Sequence, residues 1–564
     1  MAPPIRRSLV TRFTSNNYVV GALPTIAGVL FGCDISSMSG QLSNPYYLEQ
    51  FNSPDSDLQG GITASMPAGS LGGALINSWL ADKIGRKKTI ILGAWIWVVG
   101  CIVQAAANNV TTLVAGRVVA GLSVGILSAI VTTYQAELTK PAIRGRIVSL
   151  QQFAITIGIF LQYFVQFGSS YINGGASFRL PWALQVIPGL VLGTLMWIFP
   201  ESPRWLCDHG RDEEALQILA DVHAQGDTED ALVQLEFSEI KHAIEFDQNQ
   251  AAKSYLDLFA PAVRRRVFLG MSEQMWSQLT GMNVMMYYVT YVFQSAGLTG
   301  RRGELIASSV QYTLNVVMTI PALIYIDRWG RRPMLLFGAV IMGIWLYLVG
   351  GLQARFGHAA VDVAASDTTT WVVDGNKSAT YAIIVCSYLF VCSYAVTWGP
   401  CSWTYAAEIF PTRVRAKAVS FATATNCKCP PFSHGELKGS FSSFWVPERP
   451  VDPPRQSSTS AFNFALAYAT PPAFRNIQWK TYFVFGTFCF AMAVHIFFMF
   501  PETRGRTLEQ MEEVFAGNAF TAWRVNDSVG KKSLSDVEAI GRRDSDLKEE
   551  VSHEEGDRKE GTPV

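Results

Sequence analysis

Asp82-Lys-Ile-Gly-Arg86-Lys87 returns 245 positions later as Asp327-Arg-Trp-Gly-Arg331-Arg332. Glu137 is followed at a distance of seven by Arg144, and Glu408 by Arg415 at the same distance. Pro200-Glu-Ser-Pro-Arg204 returns in shorter form as Pro501-Glu-Thr-Arg504. The three signatures run in the same order twice, and each lies beside a long apolar stretch. Repetition on this scale marks a chain of two like halves. Repeated halves laid between apolar segments point to duplicated helical bundles in a membrane.

The rest of the composition agrees. Of 564 residues, 49% are hydrophobic and only 16% charged, against about 25% charged in a soluble domain. The formal net charge is zero, which gives no basis for nucleic-acid binding. Apolar runs fall near 19–39, 62–81, 89–107, 112–134, 149–170 and 182–199. A second set falls near 267–293, 305–326, 334–353, 380–405 and 480–500, with a twelfth candidate between 416 and 474. Each is about the length that spans a bilayer as a helix. The segment 40–61 has no Lys or Arg, whereas basic clusters sit at 83–88, 140–146, 264–266, 328–332 and 413–417. Basic residues gather on the cytoplasmic side, so both termini are expected there.

The predicted fold is therefore an all-α membrane protein with twelve transmembrane helices in two six-helix bundles. The predicted divisions are a cytoplasmic N-terminus (1–17), an N-terminal bundle (18–200) and a cytoplasmic linker with short helices (201–265). A C-terminal bundle (266–500) and a cytoplasmic motif with a disordered tail (501–564) complete them. Arg211-Asp-Glu-Glu-Ala-Leu-Gln-Ile-Leu-Ala carries helical apolar spacing with acids in its first turn, as a linker helix should. The nine cysteines are scattered, mostly within apolar runs. Cys427-Lys-Cys429 with His434 is a weak metal pattern, since structural zinc wants four ligands at tighter spacing. No cofactor, metal centre or catalytic residue is expected. Asn109-Val-Thr111 and Asn376-Lys-Ser378 match the glycosylation pattern close to helix ends, where unmodified asparagine is the favoured reading.

The repeat also serves as a ruler. Asp82 and Glu137 are 55 positions apart, Asp327 and Glu408 are 81 apart, and a polar outer loop at 354–379 takes up the excess. Glu137 and Glu201 are 64 apart, Glu408 and Glu502 are 94 apart, and no loop takes up that excess. It falls on 427–461, which carries six prolines inside what should be the eleventh helix. A proline-rich polar stretch at membrane depth leaves backbone groups unsatisfied. It reads either as an unremoved intervening segment in the gene sequence or as a real loop that bulges into an aqueous face.

With these motifs assembled, the chain resembles the sugar porter family of the major facilitator superfamily. The resemblance rests on Gly85-Arg86-Lys87, Glu137 to Arg146, Pro200-Glu-Ser-Pro-Arg-Trp-Leu206, Gln278-Leu-Thr-Gly-Met-Asn283 with Tyr287-Tyr288, Asp327 to Arg332, and Gly399-Pro-Cys-Ser-Trp403 through Pro411. The run from Gln274 to Tyr288 is most similar to fungal high-affinity glucose transporters. A hexose presents hydroxyls around an apolar ring face, so its site needs amides and an aromatic plate. The resemblance places Gln152, Gln278, Asn283, Asn315 and Asn426 at sugar hydroxyls and Trp403 as the plate. For any one amide, an interhelical hydrogen bond is the competing reading. Ser277 stands where the family usually has a first glutamine, and Cys427 where a tryptophan follows the polar residue. Tyr287 and Tyr288 match an outer gate, with ordinary aromatic packing the alternative.

Asp34, in Phe31-Gly-Cys-Asp34, and Arg117, in Gly116-Arg117-Val-Val-Ala-Gly121, are ionisable residues inside predicted helices. Such residues mark ion pathways by default. In bacterial xylose:proton symporters of the family this pair couples protons to sugar. Arg86, Glu137 and Arg144, with Arg331, Glu408 and Arg415, are expected to form a charge network between the bundles on the cytoplasmic side. The expected function is proton-coupled symport of a hexose, glucose above all, by a monomer in the plasma membrane. The alternatives are a facilitative uniporter, a polyol or disaccharide carrier, and a non-transporting sugar sensor.

Overall fold

Backbone polar groups inside a bilayer must bond within their own segment, and the apolar runs accordingly fold as helices. The computed structural model describes residues 17–42, 44–139, 141–224, 226–230, 233–238, 240–241, 244, 264–298, 301–359, 370–373, 375–409, 461–503 and 515. The first half comprises α1 (Ile26–Ser36, continuing Asn17–Ala22 and Leu23–Thr25), α2 (Ser56–Ile84), α3 (Arg86–Ala105), α4 (Val110–Leu138), α5 (Pro141–Ser169) and α6 (Ala176–Leu184, continued by Val186–Leu195). The second comprises α7 (Arg264–Leu279, continued by Met282–Tyr287 and Val289–Ser295), α8 (Arg301–Trp329), α9 (Arg331–Phe356), α10 (Lys377–Val396, continued by Trp398–Ile409), α11 (Ala461–Asn476) and α12 (Lys480–Met499). Among the described residues nine helices are long and apolar enough to cross a membrane. The other three places are taken by α2, rich in glycine and serine, by the interrupted α7, and by α11, whose description begins at Ala461.

Within the first half α4 packs on α2 and α3, α1 packs on α5, and α6 packs on α3. Within the second, α9 packs on α12 and α10, and α8 on α10. The halves meet where α11 lies on α2 and where α5 lies on α8 and α10. The α2–α4 contact is made by small residues. A Cβ at Gly121 or Gly125 would strike the carbonyls of Met66 or Ser70, and one at Gly69 or Gly73 those of Val118 or Leu122. Close backbone approach of this kind is the usual packing of helices in lipid. The outward faces are apolar: Trp95, Val99 and Ile102 on α3, and Ile306, Val317, Ile320 and Ile324 on α8, are all exposed at helical spacing.

Local signals set the helix ends. Asp55 caps α2, and Asn109 and Asn376 cap α4 and α10 by accepting from the backbone N–H of Thr112 (2.8 Å) and Ala379 (3.1 Å). Each such cap is worth about 1 kcal/mol. The two asparagines of the glycosylation patterns thus have a structural task as they stand. The linker contains helices Pro203–Asp208 and Asp212–His223, the latter with Asp212, Glu213 and Glu214 in its first turn. The loop after α9 includes a two-stranded ribbon, β1 (His358–Ala359) antiparallel to β2 (Trp371–Val372).

Candidate functional site

Gly281 adopts φ 83° and ψ 7°, the left-handed region open to glycine, and ends the first part of α7. The helix resumes at Met282, breaks again at Tyr288 (φ −117°, ψ 27°) and resumes at Val289. Such breaks leave backbone carbonyls that need other donors. Side chains of α8 provide them: Gln311 Nε2 donates to the Met285 carbonyl at 3.1 Å, and the Tyr312 hydroxyl to the Met286 carbonyl at 2.8 Å. The first break also joins two of the predicted amides, since Asn283 Nδ2 donates to Gln278 Oε1 across it. Asn315, one turn along α8 from Gln311, is buried.

A second pair spans the seam between the halves. The Trp403 indole N–H, in the second part of α10, donates to Gln152 Oε1 on α5 at 2.9 Å. Beside it the hydroxyls of Ser149 and Thr404 are 3.3 Å apart. Gly399, one turn before Trp403, gives Gln152 its room: a Cβ there would lie 3.2 Å from Gln152 Nε2. Ser277 faces α10, its hydroxyl 3.1 Å from that of Tyr394. Half-buried amides, an indole and hydroxyls at a seam can exchange these bonds for those of a polyhydroxylated ligand.

At the end of the helices away from the repeated charges, the halves are shut. Tyr287 and Tyr288 are buried. The Tyr288 hydroxyl donates to the Ala467 carbonyl at 2.6 Å, and its ring stacks on Tyr291 with centroids 5.8 Å apart. The Tyr291 hydroxyl donates to Gln59 Oε1 on α2, and Tyr163 on α5 donates to the Leu305 carbonyl on α8 at 3.0 Å.

Asp34 and Arg117 are brought together in the first half and are 0% and 1% exposed. Their closest atoms, Asp34 Oδ2 and Arg117 Nη2, are 4.0 Å apart, and neither Asp34 oxygen has a hydrogen-bond partner among the described residues. The guanidinium instead donates to the Ile62 carbonyl (2.9 Å), the Ser37 hydroxyl (3.0 Å) and the Thr63 carbonyl (3.5 Å).

The repeated charges build the same device in each half. Glu201 accepts from the backbone N–H groups of Arg86 (2.9 Å) and Lys87 (3.0 Å), so it caps α3 from 115 residues away. Glu502 accepts from Arg331 (2.9 Å) and Arg332 (3.1 Å) and caps α9 in the same way. Gly85 and Gly330 precede the caps at φ 94° and 89°, and a Cβ on either would press on the capping carboxylate, 2.5 Å and 2.8 Å away. Tyr134 and Tyr405 donate to the carbonyls of Pro200 and Pro501 at 2.7 Å and 3.3 Å. Burial pushes Glu201 above the ordinary glutamate range, against the backbone N–H groups of Ser202, Lys87 and Arg86, which pull it down. Arg86 Nε also donates to Glu137 Oε2 at 3.1 Å, and the Ser202 hydroxyl donates to the same oxygen.

The structure thus joins Gln278 with Asn283, Gln152 with Trp403, Asp34 with Arg117, and Arg86 with Glu137. The last contact lies inside the first half, whereas the sequence led us to expect a network between the halves. The side chains of Arg144 and Glu408, together with Arg415, Asn426 and the segment 427–460, lie outside the described residues. Reasoning from sequence missed the capping role of Glu201 and Glu502, although the doubled Pro-Glu pair marked both. It also missed Gln59 and Gln311, which carry no motif.

The family model described as Sugar (and other) transporter matches residues 20–430 and 457–515. The gap between the matched parts lies within the segment 427–461 that the internal ruler set apart. The chain is 43% identical over 549 residues to the MFS glucose transporter mfs1 of Aspergillus flavus, covering 96% of each. It is 42% identical over 511 residues to the high-affinity glucose transporter of Kluyveromyces lactis, covering 90% of this chain and 86% of that one. Among solved structures, the proton:xylose symporter XylE bound to 6-bromo-6-deoxy-D-glucose superposes with a TM-score of 0.70 at 23% identity, covering 89% of this chain and 99% of that chain. The fold is shared with that structure, the family model spans nearly the whole length, and the chain belongs to the sugar (and other) transporter family, a multi-pass membrane protein of the twelve-helix major facilitator fold.

Proposed function

We propose that this protein carries a hexose, glucose above all, across the plasma membrane by alternating access, as a monomer and in symport with protons. The observation that carries the reading is the polar seam: Gln152 bonded to Trp403 between the halves, beside Gln278 and Asn283 at the broken helix. A hexose entering the seam offers hydroxyls to those amides, to Asn315 and to Asn426, and a ring face to Trp403. The names of the two fungal relatives point to the same substrate class.

With the basic clusters on the cytoplasmic side, the shut end is the outer one, and Tyr287 and Tyr288 are its gate. Opening it breaks the contacts of Tyr291 with Gln59 and of Tyr163 with Leu305 and separates α11 from α2. Sugar and proton must bind the two states unequally to drive the exchange. Asp34 is the coupling group. In this state Arg117 is engaged by Ser37 and two carbonyls, which leaves the buried carboxyl without a donor. A charge so placed is costly, and a proton removes it. When the halves rock outward Arg117 returns to Asp34 and stabilises the ionised form. Arg86, Glu137 and Arg144, with Arg331, Glu408 and Arg415, hold the cytoplasmic side when that side is shut.

Expression in cells lacking hexose uptake tests the substrate class. Labelled glucose uptake should saturate and be competed by unlabelled glucose better than by a polyol or a disaccharide. Absence of saturable uptake from cells that display the protein at their surface would refute the reading.

A further inference from the structure

A second carboxyl lies inside the bundle, in the half opposite Asp34. Glu273, on the first part of α7, is 0% exposed. Its Oε2 accepts from Gln274 Nε2 at 3.1 Å, and its Oε1 is buried without a hydrogen-bond partner among the described residues. No Lys or Arg among the described residues pairs with it. This part of α7 packs against the second part of α10 and against α12 and α11. The titratable and charged groups on those elements are Cys401 and Tyr405 of the second part of α10 (the side chain of Glu408 lies outside the described residues), Lys480, Tyr482, Cys489 and His495 of α12, and Tyr468 and Arg475 of α11, with Tyr394 on the first part of α10. The Tyr394 hydroxyl is engaged with Ser277, and the Tyr405 hydroxyl with the Pro501 carbonyl. The Cys489 thiol donates to the Thr280 carbonyl at 3.9 Å, and His495 Nδ1 accepts from the Trp276 indole at 2.7 Å. That bond requires Nδ1 to be unprotonated, so His495 is not a cation. The basic residues of α7 itself, Arg264, Arg265 and Arg266, are at its far end, about two turns away.

A bare carboxylate in these surroundings is among the costliest groups a membrane protein can hold. Protonated, Glu273 keeps its bond from Gln274 and gains a donor at Oε1. Its neighbours also connect it to parts that must move. Gln274 Nε2 reaches the Ser402 carbonyl on α10 at 3.4 Å, next to Trp403. Ser277, one turn closer to Gln278, meets Tyr394 with a polar step between Glu273 and the level of the amides.

We propose that Glu273 is a second proton-binding group of the transport cycle, in addition to Asp34. A proton from water in the seam bonds to Oε1 by way of the Ser277 and Tyr394 hydroxyls. The same proton leaves Oε1 to water when α10 parts from α7 towards the charged face. The proposal rests on the proton-coupled reading above.

Calorimetry of glucose binding to the purified full-length protein, in buffers of different ionisation enthalpy, counts the protons taken up per sugar bound. Wild type should show uptake. Asp34→Asn should keep about half of it, Glu273→Gln should also keep about half, and the double variant should show none. Glu273→Asp, which retains a carboxyl, should restore the Glu273 share. Complete loss of uptake in Asp34→Asn alone would overturn the role of Glu273 and leave the coupling reading standing. So would a Glu273→Gln protein that takes up as many protons as wild type. Should Glu273→Gln fail to fold, the residual uptake of Asp34→Asn still decides. Sugar binding by wild type without any proton uptake would overturn both.

Discussion

Gln152 and Trp403 form the contact that, on the proposed reading, a sugar replaces with its own hydroxyls. In Gln152→Ala the indole N–H loses its acceptor, and on that reading the sugar loses an amide partner. A hydrogen bond of this kind is worth about 1 kcal/mol, so KM for glucose uptake should rise roughly five- to tenfold at unchanged surface level. Glu201 gives a different test. Burial raises it above its ordinary value of 4.5, so the folded protein keeps a proton there that the unfolded chain has released. The stability it contributes is then largest at low pH and is lost as pH rises from 4.5 through the raised value. Melting of the detergent-solubilised protein should show that slope in wild type, and Glu201→Gln should lack it. The amide and indole types were legible in the sequence because a polar residue in an apolar helix is conspicuous. The cap was not, because Glu201 and Arg86 are joined only by the fold.

The first break in α7 was legible at the scale of the element: Gly281 lies between Gln278 and Asn283, which an unbroken helix would place only roughly on one face. The second break was not. Tyr288 carries no breaker residue nearby, and its hydroxyl is held by a tertiary contact with the Ala467 carbonyl. Helix α2 was read as 62–81 from its apolar run but extends over Ser56–Ile84. Its ends are set by the Asp55 cap and by Gly85, which hydropathy does not sense. An alanine at 281 must adopt the left-handed conformation, at a cost of about 1 kcal/mol, with its Cβ 3.0 Å from Phe485. Gly281→Ala should therefore reduce glucose uptake severalfold, while the protein still reaches the membrane in assays of surface display.

The division into two halves was legible because charges at helix ends repeat at matched spacing, and the structure gives the repeat a physical content: Glu201 on α3 and Glu502 on α9 are the same cap built twice. The ruler set apart 427–461 for the same reason, and the family model leaves a gap there. Which end is shut was not legible, since one sequence must serve both states. Purified protein in liposomes tests the coupled transport most directly. With acid outside and neutral buffer inside, wild type should accumulate labelled glucose above the external concentration, and a protonophore should abolish the excess. Asp34→Asn should accumulate glucose to a clearly lower level than wild type. Equilibration without accumulation by wild type, or accumulation by Asp34→Asn equal to wild type, would contradict a proton-driven carrier that works through this pair.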